Sequence, residues 1–183
     1  MTTVANDVVS EKYGRAFDAL DADKNGYVEW SDYQALADRF INGYKLAKDD
    51  RRARTLTAFY QMHWLEVLRH AGVDGDRLNR EQYIQATRLL SVDTSRLNLV
   101  EGGAHAVFDV IDVNGDNEIS KDEFQRFLTD VWQVTDPFAL ETFSKLDTDG
   151  DGVVSRQEFI RATYEYYYST DPAAPGSMLF GQL

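Results

Sequence analysis

The sequence contains no cysteine, so neither a disulfide framework nor a thiolate zinc site is available to it. Proline is nearly as scarce, with three in 183 residues, and little interrupts regular structure. Positive charge is also in short supply: 19 Lys and Arg stand against 31 Asp and Glu, a formal charge of −12. That balance argues against nucleic acid as a partner, because binding to phosphates is driven by cationic side chains. An acidic surface attracts cations instead. No stretch approaches the roughly 20 apolar residues of a membrane span, and the opening "MTTVANDVVSEKYGRAF" lacks the basic start and apolar core of a secretion signal. The expectation is a soluble, cytoplasmic protein. What is present is a globular composition, 43% hydrophobic and 13% aromatic, on a chain long enough to bury roughly 70% of its unfolded surface.

A repeat carries the chemistry. Three stretches align without a gap: "DADKNGYVEWSD" (Asp21 to Asp32), "DVNGDNEISKDE" (Asp112 to Glu123) and "DTDGDGVVSRQE" (Asp147 to Glu158). Each has oxygen-bearing side chains at positions one, three and five, a β-branched residue at eight and a carboxylate at twelve. This is the EF-hand calcium loop. The ion needs six to eight oxygens at about 2.3–2.6 Å, which a short segment supplies only by wrapping around it. Position seven contributes a backbone carbonyl, so its side chain varies freely among Tyr27, Glu118 and Val153. Gly26 and Gly152 suit the positive φ of position six, and Asn117 is the commonest non-glycine substitute there. Apolar residues at helical spacing flank each loop: Phe17 and Leu20 before the first, Phe108 and Ile111 before the third, Phe143 and Leu146 before the fourth. One match could be an ordinary helix cap; three with helical flanks predict helix-loop-helix units.

A fourth stretch, residues 71–82 and including "DGDRLNREQY", falls in the same register with its ligands missing. Ala71, Val73, Gly75 and Gln82 occupy positions one, three, five and twelve, and Arg77 occupies seven. It is expected not to bind calcium. Leu78 nevertheless stands at position eight, where paired loops exchange backbone hydrogen bonds, so Leu78 can face Val28 as Ile119 faces Val154. The broken loop is explained as the structural half of a pair, since a lone first hand would leave a strand edge and an apolar helix face uncovered.

The extra length between the first two loops reads as a lengthened helix pair, with Asp49 or Asp50 as a cap before "RRARTLTAFYQMHWLEVLRH", where Leu56, Phe59, Tyr60, His63, Val67 and Leu68 keep helical spacing. Thr135, Asp136 and Pro137 read as a helix start before the fourth loop. Three intact loops, a degenerate second loop, a long first pair and the tail "STDPAAPGSMLFGQL" resemble the sarcoplasmic calcium-binding proteins and calerythrin, with calexcitin as a relative. The resemblance implies an all-α fold of four EF-hand helix-loop-helix units, in two pairs packed as one compact globule. It assigns the first pair to residues 1–92 (calcium loop 21–32, degenerate loop 71–82), the second to 93–168 (calcium loops 112–123 and 147–158) and a tail that packs on the globule to 169–183. It also implies a monomeric calcium buffer or modulator without enzymatic activity, for which a protein partner is conceivable but not identifiable from sequence.

The ligand sets follow from position. Asp112, Asn114, Asp116, the Glu118 carbonyl and Glu123 form the third site; Asp147, Asp149, Asp151, the Val153 carbonyl and Glu158 form the fourth. Glu123 and Glu158 are expected to give both oxygens, which favours calcium over the smaller magnesium. Ser120 and Ser155 at position nine are expected to act through water. In the first site, Asp21, Asp23, Asn25, the Tyr27 carbonyl and Asp32 are joined by Glu29, which is placed to ligate directly. Asp32 is one methylene shorter than Glu, so six-coordination and magnesium competition are expected chiefly here. Three calcium ions per chain result.

Other candidates weigh less. The basic run "RRAR" reads as a solvated helix face, His63, His70 and His105 have no zinc or nucleophile spacing, and "YEYYY" reads as packing of the last helix. Two rival functions remain. A sensor with an apolar groove is opposed by the scarcity of methionine (Met1, Met62 and Met178) and by a tail whose Met178, Leu179 and Phe180 could fill such a groove. A luciferin-type ligand-binding protein is kept open by His63, Trp64 and Trp132.

Overall fold

The computed structural model describes residues 3–93 and 98–180. Met1 and the end of the predicted tail, 181–183, lie outside the described residues. Helices form where the apolar spacing is near 3.6 and stop where the loops turn. Gly26 and Gly152 adopt φ of 83° and 92° at position six, and Asn117 adopts 67°, the left-handed region that a residue with a Cβ enters only at a cost, smallest for Asn and Asp.

The first hand is helix α1 (Thr3–Leu20), strand β1 (Tyr27–Glu29) and helix α2 (Trp30–Gly43). The second is α3 (Arg51–Ala71), β2 (Arg77–Asn79) and α4 (Arg80–Val92). In the third, α5 (Leu99–Ile111) leads through β3 (Glu118–Ile119) into α6 (Lys121–Arg126), which winds into a π turn at Phe127–Val131. The fourth has a 3₁₀ turn (Pro137–Leu140), α7 (Glu141–Leu146), β4 (Val154–Ser155) and α8 (Arg156–Tyr168), followed by a 3₁₀ turn at Pro175–Met178. The start expected at Thr135 to Pro137 therefore opens a 3₁₀ turn, and the α-helix proper begins four residues after Pro137. Asp50, one of two cap candidates, caps α3 by accepting from Arg52 N at 2.8 Å.

The strands pair antiparallel, Val28 opposite Leu78 and Ile119 opposite Val154. All four side chains are fully buried. At roughly 1.5–3 kcal/mol for each fully buried aliphatic side chain, Leu78 explains why the second loop persists without ligands: its helices and its position-eight residue complete the first pair. The predicted pairing of Val28 with Leu78 is thus observed.

The two pairs pack together to form one globule, α3 against α5, α1 against α8, and α2 against the π turn. Hydrogen bonds cross between them. The Tyr44 hydroxyl donates to Glu123 O at 2.8 Å in a buried contact. Lys12, fully buried on α1, donates to the carbonyls of Glu165 (3.0 Å) and Ser169 (2.7 Å) at the end of α8, where a cation also meets the negative end of the helix dipole. Tyr13 donates to Tyr167 O and Tyr166 donates to Lys12 O, both at 2.8 Å. The tail lies on α8 at Gly176, whose missing side chain is required: a Cβ there would stand 2.0 Å from Ala162 O. Leu179 is buried, and the Phe180 ring centroid lies 4.5 Å from Trp132 and 4.7 Å from Tyr166.

Candidate metal centres

In each intact loop the position-one aspartate is fixed by amides of the loop that follows it. Asp21 accepts from Asn25 N and Gly26 N, both at 3.0 Å. Asp112 accepts from Gly115 N (2.8 Å) and Asn117 N (2.9 Å). Asp147 accepts from Gly150 N (2.8 Å), Asp151 N (3.1 Å) and Gly152 N (2.9 Å). These bonds curl each loop back on its position-one carboxylate, and among the described residues only the fourth loop brings three acidic side chains close together. In the fourth loop a carboxylate oxygen from each of Asp147, Asp149 and Asp151 lies within 4.8 Å of the others. The Asp149 carboxyl is held down by the Asp151 amide, but burial and the charges of Asp151, Glu158 and Asp147 outweigh this and raise it above the usual range. Crowded anions of this kind favour a cation among them.

Positions three and five are knitted in the same way. Asp23 accepts from Asn25 N at 3.1 Å and Asn25 Oδ1 from Tyr27 N at 2.8 Å. Asn114 Oδ1 accepts from Asp116 N (3.0 Å), and Asp116 from Glu118 N (3.0 Å). Asp151 accepts from Val153 N at 3.0 Å. Tyr27 stacks its ring under the Arg77 guanidinium, 4.3 Å from the centroid.

Position twelve separates the loops into two kinds. Glu123 accepts from Val113 N (2.9 Å) on one oxygen and from the Ser120 amide and hydroxyl (both 2.8 Å) on the other. Glu158 does the same with the Thr148 amide and hydroxyl (2.8 Å) and the Ser155 amide and hydroxyl (2.9 Å). Burial pushes the Glu158 carboxyl up, but the bonds from Ser155 and Thr148 overcome it and hold the group down at about 2. Asp32 is different. It reaches only the Glu29 amide, at 2.9 Å, and position two, Ala22, turns its N–H to Leu20 O instead. Burial therefore dominates and raises the Asp32 carboxyl. Glu29, expected to compensate, accepts from Ser31 Oγ at 2.8 Å.

The second loop keeps the shape without carboxylates at the ligand positions: Asn79 and Gln82 cap each other through reciprocal 3.0 Å bonds. Ser120 and Ser155 turn out to be helix N-caps engaged with the position-twelve carboxylate. The Thr148 hydroxyl, also on Glu158, was not foreseen, although a hydroxyl at position two was visible in the sequence. Of the histidines, His63 is buried among the Tyr33 and Phe59 rings, and His70 bonds Asp93 at 2.9 Å. The candidate donors in all three intact loops are oxygens only, from carboxylates, amides and carbonyls, which fits a hard cation such as calcium.

Comparison with known proteins agrees with this geometry. Residues 103–164 match the EF-hand domain pair family and residues 15–37 the EF hand family. The chain is 25% identical over 122 residues to the sarcoplasmic calcium-binding protein of Hediste diversicolor, covering 67% of this chain and 68% of the relative. It is 28% identical over 133 residues to calerythrin of Saccharopolyspora erythraea, covering 70% and 73%. Among solved structures, a Streptomyces coelicolor calcium-binding protein, described in terms of prokaryotic calcium-mediated regulation, superposes with a TM-score of 0.71 at 25% identity, covering 87% of this chain and 98% of that one.

Proposed function

We propose that this EF-hand protein, similar to sarcoplasmic calcium-binding protein and calerythrin, binds three calcium ions and serves as a calcium buffer or modulator without catalytic activity. The observation that carries the reading is the position-one aspartate fixed by loop amides in the first, third and fourth loops, with oxygen side chains at positions three and five and a carboxylate at twelve, against their loss in the second. Asp112, Asn114, Asp116, Glu123 and the Glu118 carbonyl would hold one ion. Asp147, Asp149, Asp151, Glu158 and the Val153 carbonyl would hold another. Asp21, Asp23, Asn25, Asp32 and the Tyr27 carbonyl would hold the third, where magnesium competes. The ion supplies positive charge to clusters that otherwise repel, and binding to the folded state alone stabilises it by mass action.

A buffer is favoured over an opening sensor because the apolar space beside α8 is already filled. Leu179 and Phe180 fill the space beside Trp132 and Tyr166, and the Lys12 contacts tie α1 to α8. Opening would expose these rings and strand a buried ammonium. The luciferin-type reading rests on a cavity of about 90 Å³ lined by Tyr33, Tyr60, His63 and Trp132 among others, where His63 Nδ1 and Trp132 Nε1 are buried with no hydrogen-bond partner among the described residues. That volume is below the roughly 300–1,000 Å³ of ordinary small-molecule sites, and a neighbouring space of about 350 Å³ that also touches His63 reaches only the bottom of that range, so the ligand reading is secondary. Hydrophobic-dye fluorescence tests the choice: an unchanged signal on calcium addition supports the buffer, and a several-fold rise supports the sensor.

A further inference from the structure

Arg156 occupies position ten of the fourth loop and is the first residue of α8, yet its side chain serves the third hand. Its Nε donates to Asn117 Oδ1 at 2.7 Å. Its Nη2 pairs with Asp109 Oδ1 at 2.8 Å, and its guanidinium lies 4.1 Å from the centroid of Phe108. Asp109 and Phe108 belong to α5, the helix that enters the third loop. Asn117 is the left-handed residue at position six of that loop, and its amide is one of the two that fix the Asp112 carboxylate. One side chain therefore spans from the exit of the fourth site to the turn that shapes the third.

The first pair supplies a comparison within the same molecule. Arg80, at position ten of the second loop, reaches Asp18 at 3.3 Å, three residues before the first loop just as Asp109 lies three residues before the third. The brace between hands is thus repeated. The grip on position six is not, because that position is Gly26 and offers no side chain. The first brace is also half-exposed on both partners, whereas Arg156 is three-quarters covered. The additional contact is confined to the pair in which both loops keep a full set of ligands.

From this we infer that Arg156, acting through Asn117, is a positioning residue that couples the third and fourth metal sites, so that filling one raises the affinity of the other. Tightening the fourth loop around Glu158 fixes the start of α8 and with it the guanidinium. The guanidinium then holds Asn117 in the left-handed turn that presents Asp112. On this account asparagine at position six is a link and not merely a tolerated replacement for glycine. The inference rests on the third and fourth loops binding calcium.

The test is a per-site calcium titration of the full chain by amide NMR, with the Asn117 and Gly152 amides as reporters of the third and fourth loops. Parent protein is compared with Glu158→Gln, which disables the fourth site, and the same pair is repeated on Arg156→Met and on Asn117→Gly backgrounds. We expect the third site of the parent to weaken about tenfold when the fourth is disabled, within the usual range of site coupling, and this factor to fall to about two on both backgrounds. Asn117→Gly removes only the link and suits the positive φ, so it reports even if Arg156→Met folds poorly. An undiminished factor on either background overturns the route through Asn117. Two ions that bind the parent without influencing each other overturn the coupling alone, while a parent that binds no ion in these loops overturns the calcium reading as well.

Discussion

On the proposed ligand sets, lengthening Asp32 to glutamate should make the first loop more selective for calcium over magnesium. In the third and fourth loops the position-twelve glutamate spans the loop, one oxygen on the position-two amide at 2.9 or 2.8 Å and the other on the position-nine amide at 2.8 or 2.9 Å. Asp32 makes only the position-nine contact, and Ala22 N bonds elsewhere. One added carbon–carbon bond of about 1.5 Å brings the carboxylate toward the opposite wall, where both oxygens can face the ion. A further charged ligand contact, taken at about 1.5–3 kcal/mol like a hydrogen bond to a charged group, corresponds to roughly ten- to a hundredfold in calcium affinity. Magnesium gains little, because it demands six ligands in near-ideal octahedral geometry. The assay is calcium calorimetry with and without millimolar magnesium on Asp32→Glu and parent, with the third and fourth sites as internal reference. If magnesium weakens the first site equally in both proteins, Glu29 or loop stiffness sets the selectivity and the reasoning about reach is wrong.

Other consequences can be checked by unfolding. Leu78→Ala should cost about 2–5 kcal/mol, the range for a buried leucine truncation, while the number of bound ions stays at three; loss of an ion would mean that the second loop does more than support the first. Lys12→Met removes two hydrogen bonds from a charged donor to α8 and should lower stability by about 2 kcal/mol in urea, with and without calcium; no change would remove the clasp from the account. Burial lowers the His63 pKa to about 4 against about 6.5 when unfolded. The unfolded chain then binds the extra proton first as pH falls, so stability declines from pH 6.5 towards 4. Between pH 7 and 5 the parent should lose about 2 kcal/mol more than His63→Leu, and parallel pH curves would contradict the buried neutral ring.

The local features of this protein were legible because they are local in origin. The EF-hand loop pattern is specified by twelve consecutive residues, so Asp21, Asp112 and Asp147 mark its turns without reference to the rest of the chain. The pairing of Val28 with Leu78 could be read because position eight always faces its counterpart. The links between pairs could not be read in this way. Lys12 looks like any surface lysine on an amphipathic helix until α8 is brought against it, and Tyr44 has no local sign that its hydroxyl will meet Glu123 O. Trp64, which the sequence marks only by its chemistry beside His63, is a core residue buried against Tyr33. Arg156 was hidden for the same reason: its partners lie in another hand, and their approach depends on the twist of a two-residue ribbon. The π turn at Phe127–Val131, which packs against α2, has no local sign in the sequence either.

The central claim is that ligand chemistry, loop by loop, decides metal binding. Native mass spectrometry of the full chain in excess calcium, repeated on Asp147→Ala, tests it most directly. The account predicts three ions on the parent and two on the variant; a parent that carries four, or a variant that still carries three, would contradict it.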